Sequence, residues 1–238
     1  MGRDGGRFVI AGRPGPASPR GVRIRVKICG FRHPDDVARV AALDIDALGV
    51  VLDAGPTQVS PEQARAILSA ASDLDAEVVA VAGPADAAGV QALLRAGFDR
   101  VQAVLRAAER AALPPEAPVL PVFFDDDDLV SRMSAFFGAA PPSGPRGPWG
   151  HANVDGRGGE GRGQGADWGR AAEVARRFPL TLSGGLTAEN VGDAIRRVRP
   201  VAVDVSSYTE GPDGRKAPER IARFVEAVRA AEATAAEW

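Results

Sequence analysis

The sequence predicts an α/β protein built as a single (β/α)8 barrel. Three observations carry the prediction. Eight short apolar runs alternate with amphipathic stretches along 238 residues, close to the ~250 residues typical of that barrel. Strand-forming and helix-forming segments alternate instead of clustering, the mark of a parallel sheet. Glycine- and serine-rich turns follow the last strands, where barrel enzymes hold anions.

Each element has its own local reason. Val26-Lys27-Ile28-Cys29-Gly30 reads as a first strand, with alternate apolar residues up to Ile28 and a helix opening at Pro34-Asp35-Asp36. Ala47–Leu52 is the second strand. Ser60-Pro61-Glu62-Gln63 then opens a helix as N-cap, first-turn proline and capping-box partner. Glu77–Val81 is the third strand, and Ala85–Ala96 is a helix stopped by Gly97. Asp99–Leu105 and Ala107–Ala112 form the fourth unit, Val119–Phe124 and Asp126–Phe137 the fifth. The stretch 138–150 is rich in proline and glycine and reads as a loop. His151–Asp155 is the sixth strand, and six glycines within 156–165 make an extended loop before a helix over Asp167–Arg177. Leu180–Leu182 runs into Ser183-Gly184-Gly185, with Thr187 expected as N-cap of the helix to Val198. Val201–Val205 is the eighth strand, and Pro218–Ala231 closes the chain.

Composition narrows the function. Twenty-nine basic against 31 acidic residues, net charge −2, give no whole-chain case for nucleic acid or an anionic membrane. One cysteine excludes an intramolecular disulfide and a cysteine-based zinc site, and two histidines leave little for a histidine metal site. No apolar stretch approaches the roughly 18 to 20 residues of a membrane span. Residues 1–22 are rich in Gly, Arg and Pro without the apolar core of a signal peptide, and read as a disordered extension to a domain over 23–238. A cytoplasmic protein, monomer or homodimer, is expected.

The candidate chemistry sits at strand ends. Cys29 ends the first strand, on the rim where ligands bind in parallel barrels. A lone cysteine is otherwise a small buried hydrophobe. Asp155 ends the sixth strand on the same rim, either as an acid partner to Cys29 or as a cap of its own turn. The loops Gly158–Gly165, Ser183-Gly184-Gly185 and Ser206-Ser207 offer backbone groups to an anion such as phosphate.

Taken together, Val26-Lys27-Ile28-Cys29-Gly30, Val59-Ser60-Pro61-Glu62-Gln63-Ala64, Leu182-Ser183-Gly184-Gly185-Leu186-Thr187-Ala188-Glu189-Asn190-Val191 and Val203-Asp204-Val205-Ser206-Ser207, with Lys216 and Pro218 after it, resemble the phosphoribosylanthranilate isomerase family of tryptophan biosynthesis. The resemblance spans about residues 24 to 230. It implies a small phosphorylated aminosugar as substrate, no metal or cofactor, Cys29 as general base and Asp155 as general acid of an Amadori rearrangement. It also places the phosphate on Gly163, Gly184, Gly185, Ser206 and Ser207.

The chain departs from the family in its aromatic pocket. Where the family carries an aromatic and basic run after the second strand, Leu52-Asp53-Ala54-Gly55-Pro56-Thr57-Gln58 has no basic residue. After the fourth strand stands Val101-Gln102-Ala103-Val104-Leu105, then Arg106, and Tyr208 follows Ser207 in place of glycine. Arg32 or Arg106 is therefore the candidate cation for the substrate's carboxylate. A divergent paralogue acting on another aminoribosyl phosphate, and a barrel that binds a phosphorylated ligand without turnover, stay open on sequence alone.

Overall fold

The computed structural model describes residues 23–138, 149–156 and 165–235. The proposed disordered extension over 1–22, residue Gly163 and most of the glycine-rich 138–165 region lie outside them. Eight parallel strands close into a barrel in sequence order, each followed by a helix. They are β1 (Arg25–Cys29), α1 (Pro34–Val40), β2 (Ala47–Val51), α2 (Pro61–Ala70), β3 (Glu77–Pro84), α3 (Ala87–Arg95), β4 (Arg100–Val104) and α4 (Ala107–Ala111). The second half runs β5 (Val119–Phe124), α5 (Leu129–Phe137), β6 (Ala152–Asp155), α6 (Trp168–Ala175), β7 (Leu180–Leu182), α7 (Val191–Val198), β8 (Ala202–Val205) and α8 (Pro218–Ala235). Pairing of β1 with β8 closes the ring and sets Lys27 opposite Asp204.

Strand parity separates two interiors. Val26 and Ile28 on β1, Leu48 and Val50 on β2, and Val203 and Val205 on β8 point outward into the main apolar core under the helices. Their neighbours point into the barrel. At its amino-terminal end Ala47, Val79, Leu120, Trp149 and Ala202 form a separate apolar floor. Trp149 is the surprise of the proline- and glycine-rich stretch read as a loop. It is fully buried, its Nε1 donates to Glu77 Oε2 at 3.0 Å, and its carbonyl accepts from Thr181 Oγ1 at 2.7 Å. An indole contributes a large apolar area to such a floor, provided its N–H finds a partner.

Most local signals hold. The capping box on α2 has both bonds, Gln63 N to Ser60 Oγ at 3.2 Å and Ser60 N to Gln63 Oε1 at 2.8 Å. Gly97 follows α3 at φ +105°. Two helix starts differ. Thr187 is not the N-cap of α7: the Asn190 Oδ1 accepts from Thr187 N at 2.8 Å, and its Nδ2 donates to Gly185 O at 2.9 Å. One side chain thus ties the turn back on itself, and the helix begins after it at Val191. α5 begins at Leu129 because Asp125 and Asp126 are taken by loop contacts, Asp126 Oδ1 accepting from Asp128 N at 3.0 Å.

Candidate active site

The carboxyl-terminal mouth of the barrel collects the polar residues. Cys29 ends β1 with its thiol on the inner face, two residues above Lys27. Lys27 is fully buried and donates to Asp204 Oδ2 at 2.7 Å. The same oxygen accepts from Asn153 Nδ2 at 3.2 Å, and Asn153 Oδ1 accepts from Ser183 Oγ at 2.6 Å. A belt of polar side chains from β1, β8, β6 and β7 therefore lies one layer below the rim. Asp155 stands two residues above Asn153, its Oδ1 accepting from Gly156 N at 2.8 Å.

Gly49 completes the surroundings of the Cys29 thiol. It pairs with Cys29 across β1 and β2, and a Cβ there would stand 2.7 Å from Cys29 Sγ. Only glycine leaves the thiol its space. Lys216, buried on the opposite side, donates to Thr209 Oγ1 and Glu210 Oε1 at 3.2 Å each and lies 5.9 Å from the Phe31 ring centroid.

These placements set the protonation states. Burial pushes the Cys29 thiol up; the Lys27 ammonium pulls against it, Asp204 adds to the rise, and Lys216 again opposes. Burial also pushes Asp155 up to about 6, with the Asp204 charge adding to it, while the Gly156 amide, Ser183 and Lys27 work the other way. Burial disfavours the Lys27 cation, yet Asp204 and Cys29 more than offset it and hold Lys27 above the ordinary lysine range. Lys216 is lowered, by burial first. The mouth thus holds a thiol reluctant to ionise and a carboxyl able to keep its proton close to neutrality.

The remaining predicted residues divide. Gly184 and Gly185 adopt φ +90° and +68°, and a Cβ on Gly184 would overlap the Gly156 amide nitrogen. That contact brings the β7 loop against the residue following Asp155. Ser206 Oγ donates to Cys29 O at 3.2 Å, joining the β8 loop to β1, and Ser207 opens a 3-10 turn over Ser207–Thr209. Arg32 bridges two loops at the mouth, Nη1 donating to Pro56 O at 3.2 Å and Nη2 to Gly214 O. Arg106 is elsewhere: its side chain, 82% exposed, pairs with Glu109 on α4. Sequence reasoning passed over Lys27, Asn153 and Asp204. Each lies two residues before a rim residue, Cys29, Asp155 or Ser206, so strand parity alone points all three inward. Among the described residues no cluster of three His, Cys, Asp or Glu side chains could hold a metal, and no helix is long and apolar enough to cross a membrane.

Residues 152–227 match the family described as N-(5'phosphoribosyl)anthranilate (PRA) isomerase. The chain is 33% identical over 227 residues to the N-(5'-phosphoribosyl)anthranilate isomerase of Roseiflexus sp. (strain RS-1), covering 87% of this chain and 99% of that protein. It is 37% identical over 237 residues to the enzyme of the same name from Dechloromonas aromatica, covering 89% and 99%. The crystal structure of phosphoribosyl anthranilate isomerase from Thermotoga maritima superposes with a TM-score of 0.73 at 26% identity, over 87% of this chain and all of that one. A phosphoribosyl anthranilate isomerase solved in complex with reduced 1-(o-carboxyphenylamino)-1-deoxyribulose 5-phosphate superposes at 0.69 and 25% identity, with the same coverage. The chain belongs to the N-(5'-phosphoribosyl)anthranilate isomerase family.

Proposed function

We propose that this chain isomerises N-(5-phosphoribosyl)anthranilate to 1-(2-carboxyphenylamino)-1-deoxyribulose 5-phosphate, with Asp155 as general acid and Cys29 as general base. The observation that carries the roles is the pairing of a carboxyl pushed up to about 6 with the chain's only thiol on one barrel mouth. Asp155 donates its proton to the ribose ring oxygen while the anthranilate nitrogen pushes its lone pair toward C1, and the C1–O bond opens to an iminium. The Cys29 thiolate then removes the C2 proton. The C2–H electrons form the C1–C2 double bond and return the nitrogen to neutrality, and the enaminol becomes the ketone by gaining a proton at C1 and losing the one on its 2-hydroxyl. Each turnover leaves Asp155 ionised and Cys29 protonated, and solvent resets both.

The mouth has two sides that suit the two ends of this substrate. Gly184, Gly185, Ser206 and Ser207 would hold the phosphate on the β7 and β8 side, with Gly163, outside the described residues, as the remaining candidate. Phe124, 36% exposed and in register with Asp155, would meet the aryl ring with Val51 and Val104. Of the two candidate cations, Arg32, which bridges the loops after β2 and β8, is assigned to the aryl carboxylate. A cytoplasmic monomer or homodimer completes the reading, the oligomeric state to be measured by light scattering.

The test is turnover of freshly generated phosphoribosylanthranilate, followed by loss of its fluorescence, in wild type, Cys29→Ala and Asp155→Ala. Wild type is expected in the ordinary enzyme range, with kcat/KM about 10⁴ M⁻¹s⁻¹ or more. Each substitution is expected to lower it by at least ~10². Full activity in either variant removes that residue from the mechanism.

A further inference from the structure

We propose that the buried Lys27–Asp204 pair is a positioning element that sets the charge balance of Cys29 and Asp155 together, from one layer below the mouth. The proposal rests on the acid and base roles proposed above and adds residues that touch neither substrate nor product. The geometry is specific. Lys27 on β1 and Asp204 on β8 are opposite one another in the strand register and 2.7 Å apart at their charged atoms. Cys29 lies two residues above Lys27 on the same inner face, and Asp155 two above Asn153, whose amide donates to the same Asp204 oxygen.

Asp204 is also built unlike a plain structural partner. Its Oδ2 takes both hydrogen bonds, while Oδ1 is buried without a partner among the described residues. Leaving a buried carboxylate half satisfied costs stability, so a fold seeking only stability would fill this position with an apolar side chain. An unsatisfied anion instead projects its field to its neighbours. The ionisable groups facing it are Lys27 and Cys29 from β1 and Asp155 from β6, while Lys216, paired with Glu210 in the segment after β8, acts on Cys29. Asp204 disfavours the ionised form of both Cys29 and Asp155, and Lys27 favours it in both. The pair therefore acts on acid and base in concert: changing one member moves both in one direction.

The experiment is the pH dependence of kcat/KM in Asp204→Asn and in the double variant Lys27→Met/Asp204→Asn. In parallel, the pH dependence of iodoacetamide alkylation of Cys29, the only cysteine in the chain, is read without any turnover. Asp204→Asn should move the acidic limb down from about 6 by about one unit. At pH 5 it then loses about twofold of its plateau rate where wild type loses about tenfold. The alkylation midpoint of Cys29 should fall as well. The double variant leaves no unpaired buried charge and so guards against a single variant that does not fold. It should move its acidic limb down by less than Asp204→Asn does, because loss of Lys27 offsets only part of the loss of Asp204 at Asp155, and raise the alkylation midpoint of Cys29, which has lost its strongest cationic neighbour. Lower activity with both limbs and the alkylation midpoint unmoved in Asp204→Asn, or an unmoved midpoint in the double variant, overturns the proposal. Full activity in Asp155→Ala would instead overturn the acid–base reading, and the alkylation midpoints would still report on the pair.

Discussion

Gly49 faces Cys29 across the β1–β2 pair, and a methyl group at Gly49 would stand 2.7 Å from the thiol sulfur and 3.1 Å from Lys27 Nζ. The thiol is held by absence of bulk on one side and by charge on the other. Gly49→Ala should therefore displace Cys29 and lower kcat by about 10²-fold, since small misplacements of reacting groups cost that much. Overpacking should cost only about 1–3 kcal/mol of stability. Steady-state kinetics beside a urea melt checks it: unchanged kcat would mean the thiol tolerates displacement.

The pH profile of kcat/KM should be a bell with its acidic limb at about 6, from Asp155, and its basic limb above the usual thiol range, from Cys29. Between the limbs one proton is shared by the pair. The reactive arrangement, carboxyl protonated and thiol ionised, is the minor one, so the plateau reports a small, constant fraction of competent enzyme. A profile lacking the limb near 6 would detach Asp155 from the chemistry.

Asp155→Asn should be more stable than wild type at pH 7.5. The folded carboxyl is raised to about 6 from about 3.9 in the unfolded chain. Its stability contribution is thus complete below about pH 4 and lost as pH rises through about 6. The neutral amide escapes that loss, a gain of about 1–3 kcal/mol at pH 7.5 and none at pH 4. Chemical denaturation at the two pH values measures it; equal gains at both would assign the effect to packing.

Asp36 shows the opposite sign. It is buried at the start of α1 and grips Arg215, whose Nε lies 2.9 and 3.0 Å from its two oxygens. Burial opposes its ionisation, but the Arg215 hydrogen bond and the Lys216 amide hold the carboxyl below its ordinary value. This contribution is present above about pH 4 and disappears as pH falls through the lowered folded value. Asp36→Asn should cost about 1–3 kcal/mol at pH 7 and lose its deficit toward pH 2. It should also raise KM, since the same segment carries Lys216 beside the mouth.

The two candidate arginines should separate cleanly. Arg106, exposed and paired with Glu109, should be replaceable by alanine with KM within about twofold of wild type, the modest effect typical of a surface ion pair. Arg32 holds the loops after β2 and β8 through Pro56 and Gly214, and its loss should raise KM about tenfold or more, the equivalent of one charge-assisted hydrogen bond. Unchanged KM in both variants would leave the aryl carboxylate without an arginine partner from this pair.

Alternation and punctuation made the barrel legible, because strand parity and helix caps are written in neighbouring residues. The capping box at Ser60 and Gln63 could be read letter by letter. The candidate base and acid were legible too, as rim residues on β1 and β6. The belt beneath them was not. Lys27 and Asp204 are 177 positions apart, and their contact exists only because the first and last strands close the ring. Period-two spacing puts Lys27 on the face of Cys29, yet a lysine inside a barrel is unfavourable until its counter-ion is known. Trp149 was hidden for the converse reason: proline and glycine precede it in the sequence, and its burial comes from a floor it shares with residues of β2, β3, β5 and β8. At Thr187 the local rule chose the wrong member of the pair, because Asn190 reaches back to two backbone groups at once.

The Trp149 floor has a consequence for the isotopic fate of the reaction. Proton traffic through the barrel's amino-terminal end meets the indole and its apolar neighbours. The belt above cannot replace it, since the Asn153 amide interrupts any chain of exchangeable hydroxyls and carboxyls between β1 and β6. In the proposed mechanism the hydrogen that Cys29 takes from C2 leaves by the mouth on which the substrate itself sits. Deuterium placed at C2 should linger on sulfur while that mouth is occupied, and its wash-out into water should keep time with product departure.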